Sequence, residues 1–480
     1  MPCCNRCHVD EEGNRDVAIK GDRRRRGRRL LAAALATALT AGMAVLLGGV
    51  TTGTAAAQPL PLNADPFYQA PDGFESADPG TILRSREVQL AVLTVLPVHV
   101  RSWQLLYRTT DLFGQPTVAA TTVAIPEGAN TSHTRPLVSH QFFYDSTSPN
   151  CAPSYILQQG GGLPALEGIH STVEYLELAG SISQGYAVNV PDYEGLNGHL
   201  AVAKEPGYMI LDSVRAAESF QPLGLDGANT PVALWGYSGG GMGSGWAAEM
   251  QPSYAPELNI KGVALGAPVS DVESLLHVNG SMFASLIGVG IASLRNAYPK
   301  FAETTEKYLT PEGRAIMDRT ANQCLVRNVL NLMFTDYQRM MTIPIADYLA
   351  LPEIKEVFDS TVLGGNPPTA PTMVYQGVYD EAVPWYTNDR MVQRWCDGGS
   401  SVYYKRDHLS EHLTLTTLGM ADAFNWIKSR LAPGAADPAG CRTDDVITML
   451  GSVDALATQV EIELNAAFGA LGWPIGPQEH

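Results

Sequence analysis

The sequence predicts an α/β protein: a mostly parallel central sheet flanked by helices and interrupted by an inserted helical cap. Three observations carry this. Between residues 103 and 269, short β-rich runs alternate with helical patterns, which builds βαβ units. Residues 231–241 (PVALWGYSGGG) set a Gly-framed serine between an apolar run of strand length and a helix-forming segment. From about residue 271 to 363 the strand signal stops, and it returns at TAPTMVYQG (369–377).

The elements follow in order. Residues 23–29 (RRRRGRR), the apolar stretch 30–49 and Ala55-Ala56-Ala57 form a basic region, a hydrophobic region and an A-x-A cleavage site, so residues 1–57 are expected to be an export segment. Cys3, Cys4 and Cys7 lie inside it, with no matching Cys/His group downstream to complete a metal site. Residues 58–100 are Pro-, Asp- and Gly-rich and suit a wrapping segment. Residues 103–126 suit a hairpin broken at Gly114-Gln115-Pro116, and residues 135–146 the next strand, ending at a loop with Asp145. A helix up to Gly185, the strand AVNVP (187–191), a helix over 205–220, the serine element and a strand within 258–269 complete the first part, 58–271. The cap, 272–363, is a series of helical patterns. Its run Met282–Leu294 carries no charge and is too short to span a bilayer, so it belongs either in the cap core or against the site. The second part of the core, 364–440, holds a strand leading to Asp380, a strand at 402–405 and a closing helix. The tail, 441–480, has a helical pattern in Val446, Leu450, Val453, Leu456 and Val460.

Charge narrows the partners. Removing residues 1–57 takes nine Lys/Arg and five Asp/Glu from totals of 32 and 49, leaving 23 basic and 44 acidic residues and a net charge of −21. So acidic a chain stays soluble and is a poor match for nucleic acid or an anionic membrane. Export leaves Cys151, Cys324, Cys396 and Cys441, which in an oxidising compartment most simply form two disulfides, with three pairings open.

The serine carries the chemistry. Gly236-Tyr237-Ser238-Gly239-Gly240 fits G-x-S-x-G, and strand before and helix after supply the context it requires. A serine on so sharp a turn projects over the sheet edge. Gly236 and Gly240 leave room where strand and helix pass, and the Gly239 amide faces the same space at a helix N-terminus. The hydroxyl needs a base, and the base an orienting carboxylate. Asp380 directly follows the strand TMVYQG, whereas Asp389 falls on the next helix. His412, at the start of the final helix, is preferred to His408 as base. Ser238, Asp380, His412 is the chain order of the α/β-hydrolase fold.

With these residues in place the chain resembles the secretory lipase family, the α/β-hydrolases similar to Candida antarctica lipase A. The matching stretches are FYDSTSPNCAPSY (143–155), GYAVNVPDYEGLNG (185–198), GYSGGG (236–241), YQGVYDEAVP (375–384) and SEHL (410–413). The resemblance implies Ser238 as nucleophile, Asp380 as acid, His412 as base and an oxyanion hole from Gly239 and Asp145. It also implies the disulfides Cys151–Cys324 and Cys396–Cys441 and a helical cap between nucleophile and acid. The expected activity is carboxylic ester hydrolysis on a lipid or small ester, outside the cell, without metal or organic cofactor and without stable membrane insertion once the leader is cleaved. An acyltransferase using the same residues, or a silent hydrolase fold that binds lipid, are the alternatives. Product analysis with added alcohol separates the first, and labelling of the serine the second.

Overall fold

The computed structural model describes residues 59–161 and 169–478. The expected export segment, with its cleavage site and Cys3, Cys4 and Cys7, lies outside the described residues.

Ten strands form one sheet: β1 (Ile82–Glu87), β2 (Val100–Thr110), β3 (Pro116–Pro126), β4 (Leu137–Gln141), β5 (Ala187–Pro191), β6 (Val232–Tyr237), β7 (Ile260–Gly266), β8 (Thr372–Gly377), β9 (Val402–Asp407) and β10 (Arg442–Val446). Their order is β1-β2-β3-β5-β4-β6-β7-β8-β9-β10. The first three pair antiparallel, β3 meets β5 antiparallel, and from β5 to β10 every neighbour is parallel. The β2–β3 hairpin turns at Asp111, whose carboxylate accepts from the amides of Phe113 and Gln115 and so closes the loop locally. Strands β4, β6 and β8 are buried at every position, as central parallel strands covered on both faces must be.

Helices α1 (Ile169–Ser183), α2 (Glu205–Ser219) and α3 (Gly239–Tyr254) follow the alternation seen in the sequence. Between β7 and β8 the chain forms α4 (Ser285–Ala297), α5 (Pro299–Tyr308), α6 (Pro311–Thr320), α7 (Leu325–Leu332), α8 (Ile345–Leu349) and α9 (Pro352–Ser360), with no strand among them. Proline opens α5, α6 and α9, where its missing N–H is no loss and its fixed φ suits the first helical position. This insertion has a core of its own, built around Phe283, Ile287, Leu309, Met317, Tyr337 and Met340. Of the apolar run, Met282 is exposed, while Phe283, Ile287, Val289 and Leu294 are buried. Ile287 and Ile291 also line an apolar cavity of about 40 Å³ with Leu276, Leu309, Met317 and Phe358.

After β8 come α10 (Trp385–Asp397), α11 (His412–Leu418) and α12 (Met420–Leu431), and finally α13 (Val453–Ala470). Phe424 of α12 stacks on Trp235 of β6 with ring centroids 5.9 Å apart. The disulfides are Cys151–Cys324, which ties the segment after β4 to the insertion, and Cys396–Cys441, which ties α10 to the start of β10.

The tail differs from its sequence pattern in two ways. Residues 442–446 extend the sheet as an edge strand instead of beginning a helix. In α13 the buried face is Ala455, Thr458, Gln459, Ile462, Ala466 and Gly469, while Val453, Leu456 and Val460 point outward. Close approach decides the orientation. A Cβ on Gly469 would sit 2.5 Å from the Tyr175 hydroxyl of α1, and one on Gly180 would sit 3.1 Å from Ile462. The face of α13 that sets Gly469 against Tyr175 and Ile462 over Gly180 is the one that fits there. Among the described residues no helix is long and apolar enough to cross a membrane.

Candidate active site

The carboxyl ends of β4, β6, β8 and β9 meet on one edge, where parallel sheets carry their sites. The loop with Asp145 follows β4, Ser238 follows β6, Asp380 follows β8, and His412 follows β9. Ser238 has φ 52° and ψ −117°, a strained conformation for a residue with a side chain. Backbone bonds hold it there: its amide donates to Gly266 O at 2.8 Å, and its carbonyl accepts from Met242 N at 3.0 Å. A Cβ on Gly236 would lie 2.2 Å from Gly240 O, and one on Gly240 would lie 1.8 Å from Gln141 O. The turn closes only with hydrogen at both places.

Three side chains form a continuous hydrogen-bonded line. Ser238 Oγ lies 3.1 Å from His412 Nε2, and His412 Nδ1 lies 2.8 Å from Asp380 Oδ2. A proton on Nδ1, donated to the carboxylate, leaves Nε2 to accept from the serine. Asp380 Oδ1 accepts from the amides of Ala382 (2.9 Å) and Val383 (2.7 Å), and Oδ2 also accepts from Gln376 Nε2 at 2.9 Å. Gln376 is oriented in turn by Asn388. The imidazole sits between the Tyr237 ring, 5.3 Å away, and Phe283 of the insertion, 6.1 Å away. Burial by itself would lower the His412 pKa. The Asp380 carboxylate and its hydrogen bond, with Glu381 and Asp145, outweigh burial and raise it.

The competing residues lie elsewhere. His408 is exposed and bonds Asp445 of the edge strand at 2.8 Å. Asp389, on α10, accepts from Arg406.

Asp145 has φ 36° and is buried. Its Oδ1 has no partner among the described residues, and a Cβ on Gly239 would lie 2.0 Å from that oxygen. The carboxyl therefore covers the N-terminus of α3 beside Ser238. Burial pushes its pKa up to about 6 against the lowering pull of His412. Its loop is held from beneath by two further carboxyls that sequence reasoning missed. Phe143 N donates to Glu174 at 2.6 Å and Ser146 N to Glu194 at 3.2 Å. Glu194 also faces the Asp145 amide. Burial raises both Glu174 and Glu194 well above the usual carboxylate range. Glu194 falls within the DYEG stretch (192–195), the one signal that could have found it; Glu174 lies in an ordinary helical pattern. Ser146 Oγ donates to Gln323 O at 3.0 Å, next to the Cys151–Cys324 bridge, so loop and insertion are joined twice. Among the described residues no group of three or more His, Cys, Asp or Glu is placed to hold a metal ion.

Comparisons with known proteins address the family and the fold. The model of the secretory lipase family matches residues 162–437. A Mycobacterium tuberculosis protein named as a probable inactive lipase is 38% identical over 376 residues, covering 78% of this chain and 83% of that one. A protein of Malassezia globosa named as a secreted triacylglycerol lipase is 33% identical over 423 residues, covering 86% and 91%. The X-ray structure of Candida antarctica lipase A superposes with a TM-score of 0.77 at 26% identity, covering 88% of this chain and all of that one. The fold is that of the α/β-hydrolases, and the chain belongs to the secretory lipase family.

Proposed function

We propose that this chain is an exported lipase or esterase that cleaves acylglycerols or other lipid esters through an acyl-enzyme on Ser238. The observation that carries the reading is the line Asp380–His412–Ser238 at the carboxyl edge. His412 takes the serine proton as Oγ attacks the ester carbonyl. Asp380 holds the imidazole in the required tautomer and stabilises the imidazolium. The Gly239 amide, at the positive end of α3, stabilises the tetrahedral oxyanion. With its proton on, the form that burial favours, the Asp145 carboxyl donates the second hydrogen bond of this hole; the carboxyl faces Gly239 while the Asp145 amide faces Glu194. His412 returns its proton to the leaving alcohol, then activates water to release the acid. Export through the arginine-rich leader, with cleavage near Ala57, places the enzyme outside the cytoplasm, and the two disulfides suit that compartment.

The apolar insertion supports a substrate with an acyl chain. Phe283 packs beside His412, and Ile287, in the same apolar cluster as Phe283, lines the apolar cavity with Ile291. Each buried methylene contributes about 0.8 kcal/mol, close to fourfold in affinity. The test is a series of p-nitrophenyl esters from acetate to long acyl chains. Activity rising with chain length until the channel fills supports the reading, and indifference to length opposes an acyl site in the insertion. Similarity to a protein named as probably inactive favours one other reading, a silent hydrolase fold that binds lipid. Failure of the folded protein to turn over any ester in the series would favour it.

A further inference from the structure

The outward face of α13 is apolar along its length. Val453, Leu456, Val460, Leu464, Phe468 and Leu471 are each 48–83% exposed. Their spacings of three, four, four, four and three average 3.6, so they form one straight row diametrically opposite the buried face. Trp473 extends the row beyond the helix, 64% exposed and with its ring 5.9 Å from that of Phe468. The open surface of these seven side chains is on the order of 700 Å², taking roughly 150–250 Å² for a large side chain. Monomers rarely leave so much apolar surface in one patch; about 300–600 Å² is the usual largest. It is close to the roughly 800 Å² that each partner buries in a standard interface.

Direction and charge decide what covers it. The helix begins just after Met449, whose amide binds Asp407 at the carboxyl end of β9. It ends beside Gly476, where a Cβ would lie 2.4 Å from Ile182 O, close to the amino end of β5. The row thus runs some 27 Å down the flank of the sheet, away from the edge that holds Ser238. A lipid surface lying on it would stand beside the site and present no ester to the serine. The helix carries Asp454, Glu461 and Glu463 and no Lys or Arg, so it lacks the cationic flank of helices that bind membrane surfaces. In contrast, Leu456, Val460, Leu464 and Phe468 form an unbroken i+4 ridge, and such a ridge interdigitates with a copy of itself at a crossing of about −50°.

We propose that two copies of the chain pair through α13, ridge against ridge, as an isologous two-fold dimer. The acidic charge of each copy opposes approach, and salt screens that repulsion, so association strengthens as ionic strength rises. Sedimentation equilibrium of the purified protein, at low and at 0.5 M salt, reads the mass directly. The expected result is a two-chain mass, with tighter association at high salt. Leu464→Glu and Leu464→Lys each give a one-chain mass with an unchanged circular-dichroism spectrum and a cooperative melt, and an equal mixture of the two variants regains the two-chain mass through opposite charges at the axis. Interfaces of this size bind from the micromolar range downward, so a parent that stays monomeric at about 100 μM in high salt overturns the proposal. A dimer indifferent to both variants overturns it as well. A monomeric parent whose adsorption to phosphatidylcholine vesicles is lost in Leu464→Glu would assign the row to lipid instead.

Discussion

Three adjacent glycines give a graded test of the turn that holds Ser238. An alanine Cβ at Gly240 would lie 1.8 Å from the Gln141 carbonyl oxygen, about 1.7 Å inside the roughly 3.5 Å at which non-bonded heavy atoms rest. The obstacle is backbone of a fully buried strand, so α3 must move, and Ser238 moves with it. A misplacement of about 1 Å costs on the order of 10²-fold in rate, so Gly240→Ala is expected to lower kcat by about that factor or more. The overpacking costs about 1–3 kcal/mol of stability. At Gly241 the nearest atom to the added carbon is 2.9 Å away, a deficit of about 0.6 Å on the same scale, and Gly241→Ala should lose only a few-fold. At Gly239 the added carbon meets the Asp145 carboxyl oxygen at 2.0 Å. There a side chain yields in place of backbone, so stability is largely kept while the oxyanion side of the site is disturbed. The assay is kcat on p-nitrophenyl acetate for the three variants, with thermal melts to confirm folding. A Gly240→Ala protein within threefold of the parent, or a Gly241→Ala protein equally damaged, would refute the crowding argument.

Other consequences can be checked independently. In the chain-entropy account, losing Cys151–Cys324, which closes 173 residues, costs about 5 kcal/mol, against about 4 kcal/mol for the 45 residues closed by Cys396–Cys441; denaturant midpoints of Cys324→Ala and Cys441→Ala should fall in that order, and the reverse order would show that strain or residual structure governs instead. Asp145→Asn removes one of the charges that raise His412, so the acid limb of the kcat/KM profile should move to lower pH, and an unmoved limb would show that the two groups do not interact. Buried Asp192 and Glu177 hold their protons up to about pH 7 and 8. The native state therefore binds protons that the unfolded chain has released near pH 4, and stability from these groups falls as pH rises through 7 and 8. Buried His140, lowered to about 3, works in the opposite sense only below about 6.5, so the melting temperature should drop between pH 6.5 and 8.5; a rise over that interval would contradict these assignments.

The readable part of the site was the part encoded locally. Ser238 stands between a strand and a helix that are its immediate neighbours in sequence, and Asp380 directly follows β8, so their positions at the carboxyl edge follow from element order. Their meeting with His412 depends on tertiary packing, and only the order of the three residues hinted at it. Glu174 and Glu194 were not legible, because a buried glutamate that holds a loop amide looks in sequence like one on a solvated face. β10 was missed because RTDDV is an edge strand with one apolar residue and no alternation to detect. α13 was legible as a helix, but its large apolar residues suggested the wrong inner face. The face with Ala455, Ile462, Ala466 and Gly469 turns inward because Tyr175 of α1 leaves room only for glycine at 469, while Gly180 of α1 admits Ile462. The family resemblance supplied Asp145, whose position beside Gly239 arises from a positive-φ turn with no local signature.

The most direct test of the account is covalent labelling of the nucleophile. The purified, folded protein is treated with a fluorophosphonate, and its mass and tryptic peptides are measured. One adduct per chain is expected, on Ser238, formed faster at a pH where His412 is neutral. Ser238→Ala should take up none, and His412→Ala should react slower on the order of 10⁴-fold, since triad members act as a unit. A folded parent that remains unlabelled, or that carries the adduct on another residue, would contradict the assignment of Ser238 and with it the proposed hydrolase.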